Sequence, residues 1–187
     1  MGGLADILIC DDEPSNVKAL EVCLRKSSIK FVTTTSLDEA AGRICHRINH
    51  PFKFLVFDNH FCDESGLYAS GLIYGVDFLN IIQGRTELFG DEHYRFIDDY
   101  FGDKFSRIVS AYSDCVMVIF SGSAAGDSIN RPDLYAGIEI VVKRPDSSFS
   151  VPCEQDVVDV FEDNCFSVRY FDFARYKRNS GLCDGVN

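Results

Sequence analysis

Short apolar runs that stop abruptly at charged or hydroxyl-bearing residues alternate along this chain with stretches whose apolar positions recur at helical spacing. Ile7 to Cys10 is the first such run. It is followed by Asp11, Asp12, Glu13 and Pro14, so it reads as a buried strand ended by a turn. Val17, Leu20 and Leu24, with Cys23 beside them, then keep helical spacing until Ser27 and Ser28 break it. Lys30 to Thr35 is rich in β-branched residues and predicts a second strand. Ser36 and Glu39 form a capping-box signature for a helix whose apolar face holds Leu37, Ala40, Ala41, Ile44, Cys45 and Ile48. Beyond Pro51, Phe54 to Phe57 predicts a third strand, which delivers Asp58.

A loop rich in Gly and Ser, Cys62 to Gly71, precedes an apolar helical stretch from Leu72 to Ile82. Tyr94, Ile97, Phe101, Phe105, Ile108 and Tyr112 fall near helical spacing, with Gly102 as an interruption, which predicts one long helix or two short ones. Cys115 to Phe120 ends at Ser121 and Gly122, and Ile138 to Val142 ends at Lys143; both have the continuous apolar character of central strands. A short helix with Pro132 near its start is expected between them. Cys153 to Glu162 reads as a last helix with Val157, Val158 and Phe161 inward, while the aromatic tail from Cys165 to Tyr176 fits strand or helix. The alternation predicts an α/β fold, a doubly wound five-stranded parallel sheet with helices on both faces. One domain over 5–163, with an insertion around 62–112, would be followed by an extension over 164–187. In such sheets ligands sit beyond the carboxyl ends of the strands, where Asp11, Asp12, Asp58, Ser121 and Lys143 all fall.

Charge narrows the function. Over 187 residues the formal net charge is −11, which argues against the basic footprint that nucleic-acid binding needs. No run is long enough to span a bilayer, and no secretory hydrophobic segment precedes Ile7, so a soluble protein of the cytoplasm is expected. The eight cysteines then read as reduced thiols, several of them within apolar runs. Cys62, Cys153, Cys165 and Cys183 are candidates for redox sensitivity, although no CxxC pair supports it.

Carboxylates converging on one cleft repel, so such a site either takes up a proton or gathers a hard cation. Magnesium suits an oxygen-only set and keeps several waters. Asp12 and Asp58 would bind it directly, Asp11 through water, and the backbone carbonyl of His60 would add an oxygen. Asp58 is then placed as a nucleophile toward phosphorus, with the Lys143 ammonium sharing charge and Ser121 donating to a phosphoryl oxygen. Taken singly, each residue has a plainer reading. Asp11 and Asp12 could be acids at a helix N-terminus, Ser121 a turn residue and Lys143 a surface charge. His46, His50 and His93 lack ligand spacing and read as surface residues. Exposed aromatics in the tail, Phe166, Tyr170, Phe171 and Phe173, would offer a dimer or partner surface; buried, they would cover the core.

The ordered set Asp11-Asp12, Asp58, Ser121 and Lys143, with Pro145 nearby, resembles the receiver domain of bacterial response regulators in two-component signalling. That resemblance covers roughly Ala5 to Glu162. It implies Asp58 as phosphoacceptor, Asp11 and Asp12 as the metal-binding pair with magnesium as cofactor, Ser121 as switch hydroxyl, Gly122 as the small residue beside it and Lys143 as the phosphoryl contact. The implied partners are a sensor histidine kinase or histidine phosphotransfer protein and a downstream protein target, with a homodimer as a further option. No catalytic turnover, nucleic acid or membrane is implied. Departures from the pattern are plain. Arg144 separates Lys143 from Pro145, Ile140 stands where the family has an aromatic, and His60 and Ser123 occupy positions that tune phosphoryl lifetime in receivers. A phosphorylation-independent receiver-like scaffold is therefore the alternative. A magnesium-dependent phosphohydrolase ranks below it, because His60 occupies the place where haloacid-dehalogenase-like enzymes want a second acid.

Overall fold

The computed structural model describes residues 5–26, 30–61, 72, 74–121 and 130–141. Strands β1 (Ile7–Cys10), β2 (Phe31–Thr34), β3 (Phe54–Phe57), β4 (Val116–Phe120) and β5 (Glu139–Val141) form one five-stranded sheet in the order β2-β1-β3-β4-β5. Every neighbouring pair is parallel. This is the doubly wound α/β architecture expected from the alternation of patterns, in the flavodoxin-like strand order.

Side chains alternate across a strand, so each apolar run serves two cores. Ile7, Ile9, Phe54, Val56 and Val118 face Leu20 and Leu24 of helix α1 (Pro14–Lys26). Leu8, Cys10, Leu55, Phe57, Met117 and Ile119 face the other way, toward helices α2 (Leu37–His46) and α3 (Gly75–Gln83). Pro14 opens α1 at the position where its missing N–H costs nothing. Ser36 caps α2 as expected, its hydroxyl accepting the Glu39 N–H at 3.2 Å. The Glu39 carboxylate turns instead to Arg43, 3.2 Å away on the next turn.

Between α3 and β4 the chain forms a 3-10 turn (Thr86–Leu88), helix α4 (Asp91–Phe96), a π-turn (Ile97–Phe101), a second 3-10 turn (Gly102–Lys104) and helix α5 (Phe105–Ala111). The sequence left one helix or two open, and Gly102 decides for two: its φ of 49° lies in a region that glycine reaches without a Cβ clash. The wide π-turn allows Phe96, Ile97 and Phe101 all to be buried. Phe78 of α3 ties this segment to the sheet, with ring centroids 5.0 Å from Phe57, 5.6 Å from Phe96 and 6.3 Å from Phe101. Cys45 of α2 donates to the Tyr100 carbonyl at 3.4 Å, fastening α2 to the π-turn.

Several expectations need correction. Helix α3 starts at Gly75, so Leu72 is buried outside it. Tyr94 is 51% exposed, because Phe96 and His93 take the inward positions of α4. Residues 132–137 form turns, with three-residue hydrogen bonds from Leu134 to Arg131 and from Ile138 to Tyr135, while Asn130 is helical and residues 122–129 lie outside the described residues. The expected helix Cys153–Glu162, the aromatic tail and the Gly- and Ser-rich loop lie outside the described residues.

Truncating Phe78 to Ala removes the ring shared by the sheet and the inserted helices, and is expected to cost about 3–5 kcal/mol of stability. Ser36→Ala, which loses only a cap, should cost about 1 kcal/mol. Urea-unfolding midpoints of the two variants check the ranking.

Candidate functional site

The register of β1 against β3 pairs Cys10 with Phe57, so the next residues, Asp11 and Asp58, leave adjacent strands side by side. The Asp58 N–H extends the ladder by one rung, donating to the Cys10 carbonyl at 2.8 Å. β1 is followed by β2 on one side and flanked by β3 on the other, so this crevice is the point where strand order reverses. Asp11, Asp12 and Asp58 each offer a carboxylate oxygen there, all within 4.8 Å of one another. Asp11 is 1% and Asp58 9% exposed, while Asp12 is half-buried.

Neighbouring dipoles hold this cluster. Asp11 Oδ1 accepts the Glu13 N–H at 3.0 Å and the Asn16 amide at 3.2 Å, and Asn16 is itself buried. Asp58 Oδ1 accepts the Asn59 N–H at 2.7 Å. An oxygen-only set of carboxylates at this spacing fits a hard cation such as magnesium, since it supplies the negative charge and leaves coordination positions for water.

Asn59 ties the site to α3. Its carbonyl accepts the Gly75 N–H at 2.9 Å, and its side-chain oxygen accepts the Val76 N–H at 3.3 Å. Tyr74, the residue before α3, provides no side-chain cap, so Asn59 supplies one from another part of the chain. The helix end approaches so closely that a Cβ on Gly75 would collide with the Asp58 carbonyl oxygen. Ser121 directly follows the next strand, β4, and is 4% exposed. His60 is exposed, forms an isolated antiparallel bridge with Tyr74, and its ring meets the Tyr74 ring edge-on at 5.3 Å. Ile140 is partly buried in β5 against the core, and its strand position pairs with Ile119. Gly122, Ser123, Lys143, Arg144 and Pro145 lie outside the described residues.

Asn16, Asn59 and Gly75 were not singled out from the sequence. Gly75 carried a signal, being a lone glycine at the edge of an apolar helical stretch. Asn16 and Asn59 become meaningful only once their partners in the fold are known. His93 is a plainer correction. It is 6% exposed rather than a surface residue, with its ring stacked on Phe89 at 5.4 Å. Its Nδ1 accepts the Gly90 N–H at 3.0 Å, and Nε2 lies 3.6 Å from the Asp77 carboxylate. His46 and His50 are exposed, as the sequence suggested. Burial raises the thiol pKa of Cys10, Cys45 and Cys115, and all three are free.

No protein-family model matches the chain, and no curated protein matches it. An uncharacterised protein from Neptuniibacter caesariensis has a solved structure that is 14% identical, covering 97% of this chain and 97% of that one, with a TM-score of 0.49. A response regulator receiver domain protein from Clostridium thermocellum is also 14% identical, over 87% of this chain and 98% of that one, with a TM-score of 0.46. By its own strand order the chain has a doubly wound, flavodoxin-like α/β fold. No described helix is long and apolar enough to cross a membrane.

Gly75→Ala forces a methyl group onto the Asp58 carbonyl and is expected to cost about 3 kcal/mol, read as a fall in the urea midpoint. A second expectation concerns pH. Burial, the largest influence on His93, lowers its pKa, but the Asp77 carboxylate and then Glu92 outweigh it, and the net pKa is raised above 6.5. The stabilisation is therefore fully present below the unfolded value and fades as pH rises through the folded pKa. Urea midpoints taken from about pH 6 to about pH 9 should fall for the native chain relative to His93→Gln.

Proposed function

We propose that this chain is a receiver-type regulator that accepts a phosphoryl group on Asp58 from the phosphohistidine of a kinase or phosphotransfer protein, and signals by protein contact. The observation that supports this most is the gathering of Asp11, Asp12 and Asp58 within 4.8 Å at the switch point of the sheet. A carboxylate oxygen of Asp58 attacks phosphorus as the phosphorus–nitrogen bond of the donor breaks, and the imidazole leaves with the bond's electron pair. The Asn59 N–H steadies the attacking carboxylate through Oδ1, and the Glu13 N–H and Asn16 amide hold Asp11 in place beside it. Magnesium held by Asp11, Asp12 and Asp58, with the His60 carbonyl, would supply charge neutralisation for the incoming group. Ser121, at the end of the neighbouring strand, is the candidate hydroxyl for a phosphoryl oxygen, and Lys143 the candidate cation.

Phosphorylation adds charge to the cleft and shifts a conformational equilibrium toward a surface that a protein target, or a second copy of the chain, recognises. In this reading Asp58 is a group-transfer acceptor in a phosphorelay and not part of an enzyme that turns over a small substrate.

Incubation with acetyl phosphate and magnesium, followed by intact-mass measurement, is expected to give a single phosphoryl adduct. The adduct should vanish in Asp58→Asn and without magnesium. No adduct, together with an amide spectrum unmoved by beryllofluoride, would shift the reading to a phosphorylation-independent scaffold. Turnover of a small phosphate ester would favour a phosphohydrolase.

A further inference from the structure

The amide of Asn59 is 2% exposed and engaged at both ends. Its oxygen accepts the Val76 N–H at 3.3 Å, and its nitrogen donates to the Tyr135 hydroxyl at 3.1 Å. Val76 offers a donor, so the orientation of the amide follows from its partners. Tyr135 is 7% exposed and lies in the turn segment that leads into β5. The same segment is held to α3 and the turn after it at other points. Asn80 donates to the Leu134 carbonyl at 3.0 Å, Arg85 to the Ala136 carbonyl at 3.3 Å, and Gln83 to the Gly137 carbonyl at 3.3 Å.

Asn59 also meets Asp58 through its main chain, its N–H donating to Oδ1 at 2.7 Å. A bond from this N–H to a carboxylate is charge-assisted and strong. Converting the carboxylate to an acyl phosphate moves the negative charge from the carboxyl oxygens to the phosphoryl oxygens, leaving a neutral carbonyl to face the Asn59 N–H, so the peptide between Asp58 and Asn59 has to readjust. Water cannot absorb the readjustment at a buried amide with both ends bonded; it is passed to the partners of that amide. One partner is the first turn of α3, wedged against the Asp58 carbonyl at Gly75. The other is Tyr135. Ile140, partly buried in β5, has no polar group with which to take part.

We propose that Asn59 and Tyr135 couple the state of Asp58 to the segment before β5, making the Asn59–Tyr135 hydrogen bond the output lever of the site. The inference rests on the proposed role of Asp58. Tyr135 acts through Asn59 and is a positioning residue, not a catalytic one.

The test follows the amide resonances of the full chain on titration with magnesium and beryllofluoride, which mimics the phosphoryl group. In the wild type, the Asn59 amide and those of residues 134–138 should move together, and the ring carbon bearing the Tyr135 hydroxyl should follow with the same midpoint. Tyr135→Phe keeps the ring and is expected to retain the Asn59 response while losing that of residues 134–138. Gln83→Ala removes a different tether of the same segment and should keep both responses. A response at residues 134–138 that persists in Tyr135→Phe, or is lost equally in Gln83→Ala, overturns the coupling. So does a wild-type Tyr135 ring that stays still while Asn59 moves. An Asn59 amide that does not move in the wild type overturns the role of Asp58 itself, and the coupling with it.

Discussion

The pairing of Cys10 with Phe57 is the constraint on which the rest depends. Side chains along a strand alternate between faces, so a slip of one residue would put Leu8 and Cys10 where Ile7 and Ile9 belong and misplace both cores together. It would also carry Asp58 away from Asp11. Burial of two apolar faces therefore fixes, as a by-product, the meeting of carboxylates that repel each other. The cost of that meeting is borne by packing far larger than the site, and by donors such as Asn16 and the Asn59 N–H placed around it.

Rigidity spreads from the crevice along α3. Gly75 sits against the Asp58 carbonyl, Asn59 caps the helix from outside it, and Phe78 one turn further on locks it into rings from β3 and the inserted helices. The insertion is thus part of the core rather than an appendage. His93 continues the same theme in polar form, since its ring is packed on Phe89 while its nitrogens face Gly90 and Asp77.

Much of this was legible along the chain. Strands β1 and β3 matched the apolar runs residue for residue, because a strand buried on both faces leaves an uninterrupted signature. Acidic residues at the ends of those runs marked the crevice for the same reason, having no apolar partner to pack against. What sequence spacing could not show were contacts between distant segments. Asn59 and Tyr135 are brought together by the crossing from β3 to the far edge of the sheet, and no local pattern relates them. His93 looked like a surface residue because its partner Asp77 lies on another helix. Tyr94 fitted a helical spacing that the π-turn interrupts, and past the helical Asn130 the segment 132–137 closes in turns with three-residue hydrogen bonds.

The bridge between His60 and Tyr74 pins the two ends of the excursion between β3 and α3 just outside the crevice. The hydrogen bonds of Asn59 to Asp58, Gly75, Val76 and Tyr135 lie on the inner side of that pin. Phe61 and Leu72, just beyond the bridge, are both buried in the main core, so the chain stays anchored to the fold past the pin on either side. A change on either side of the bridge would therefore reach the crevice through the core as well as through the backbone.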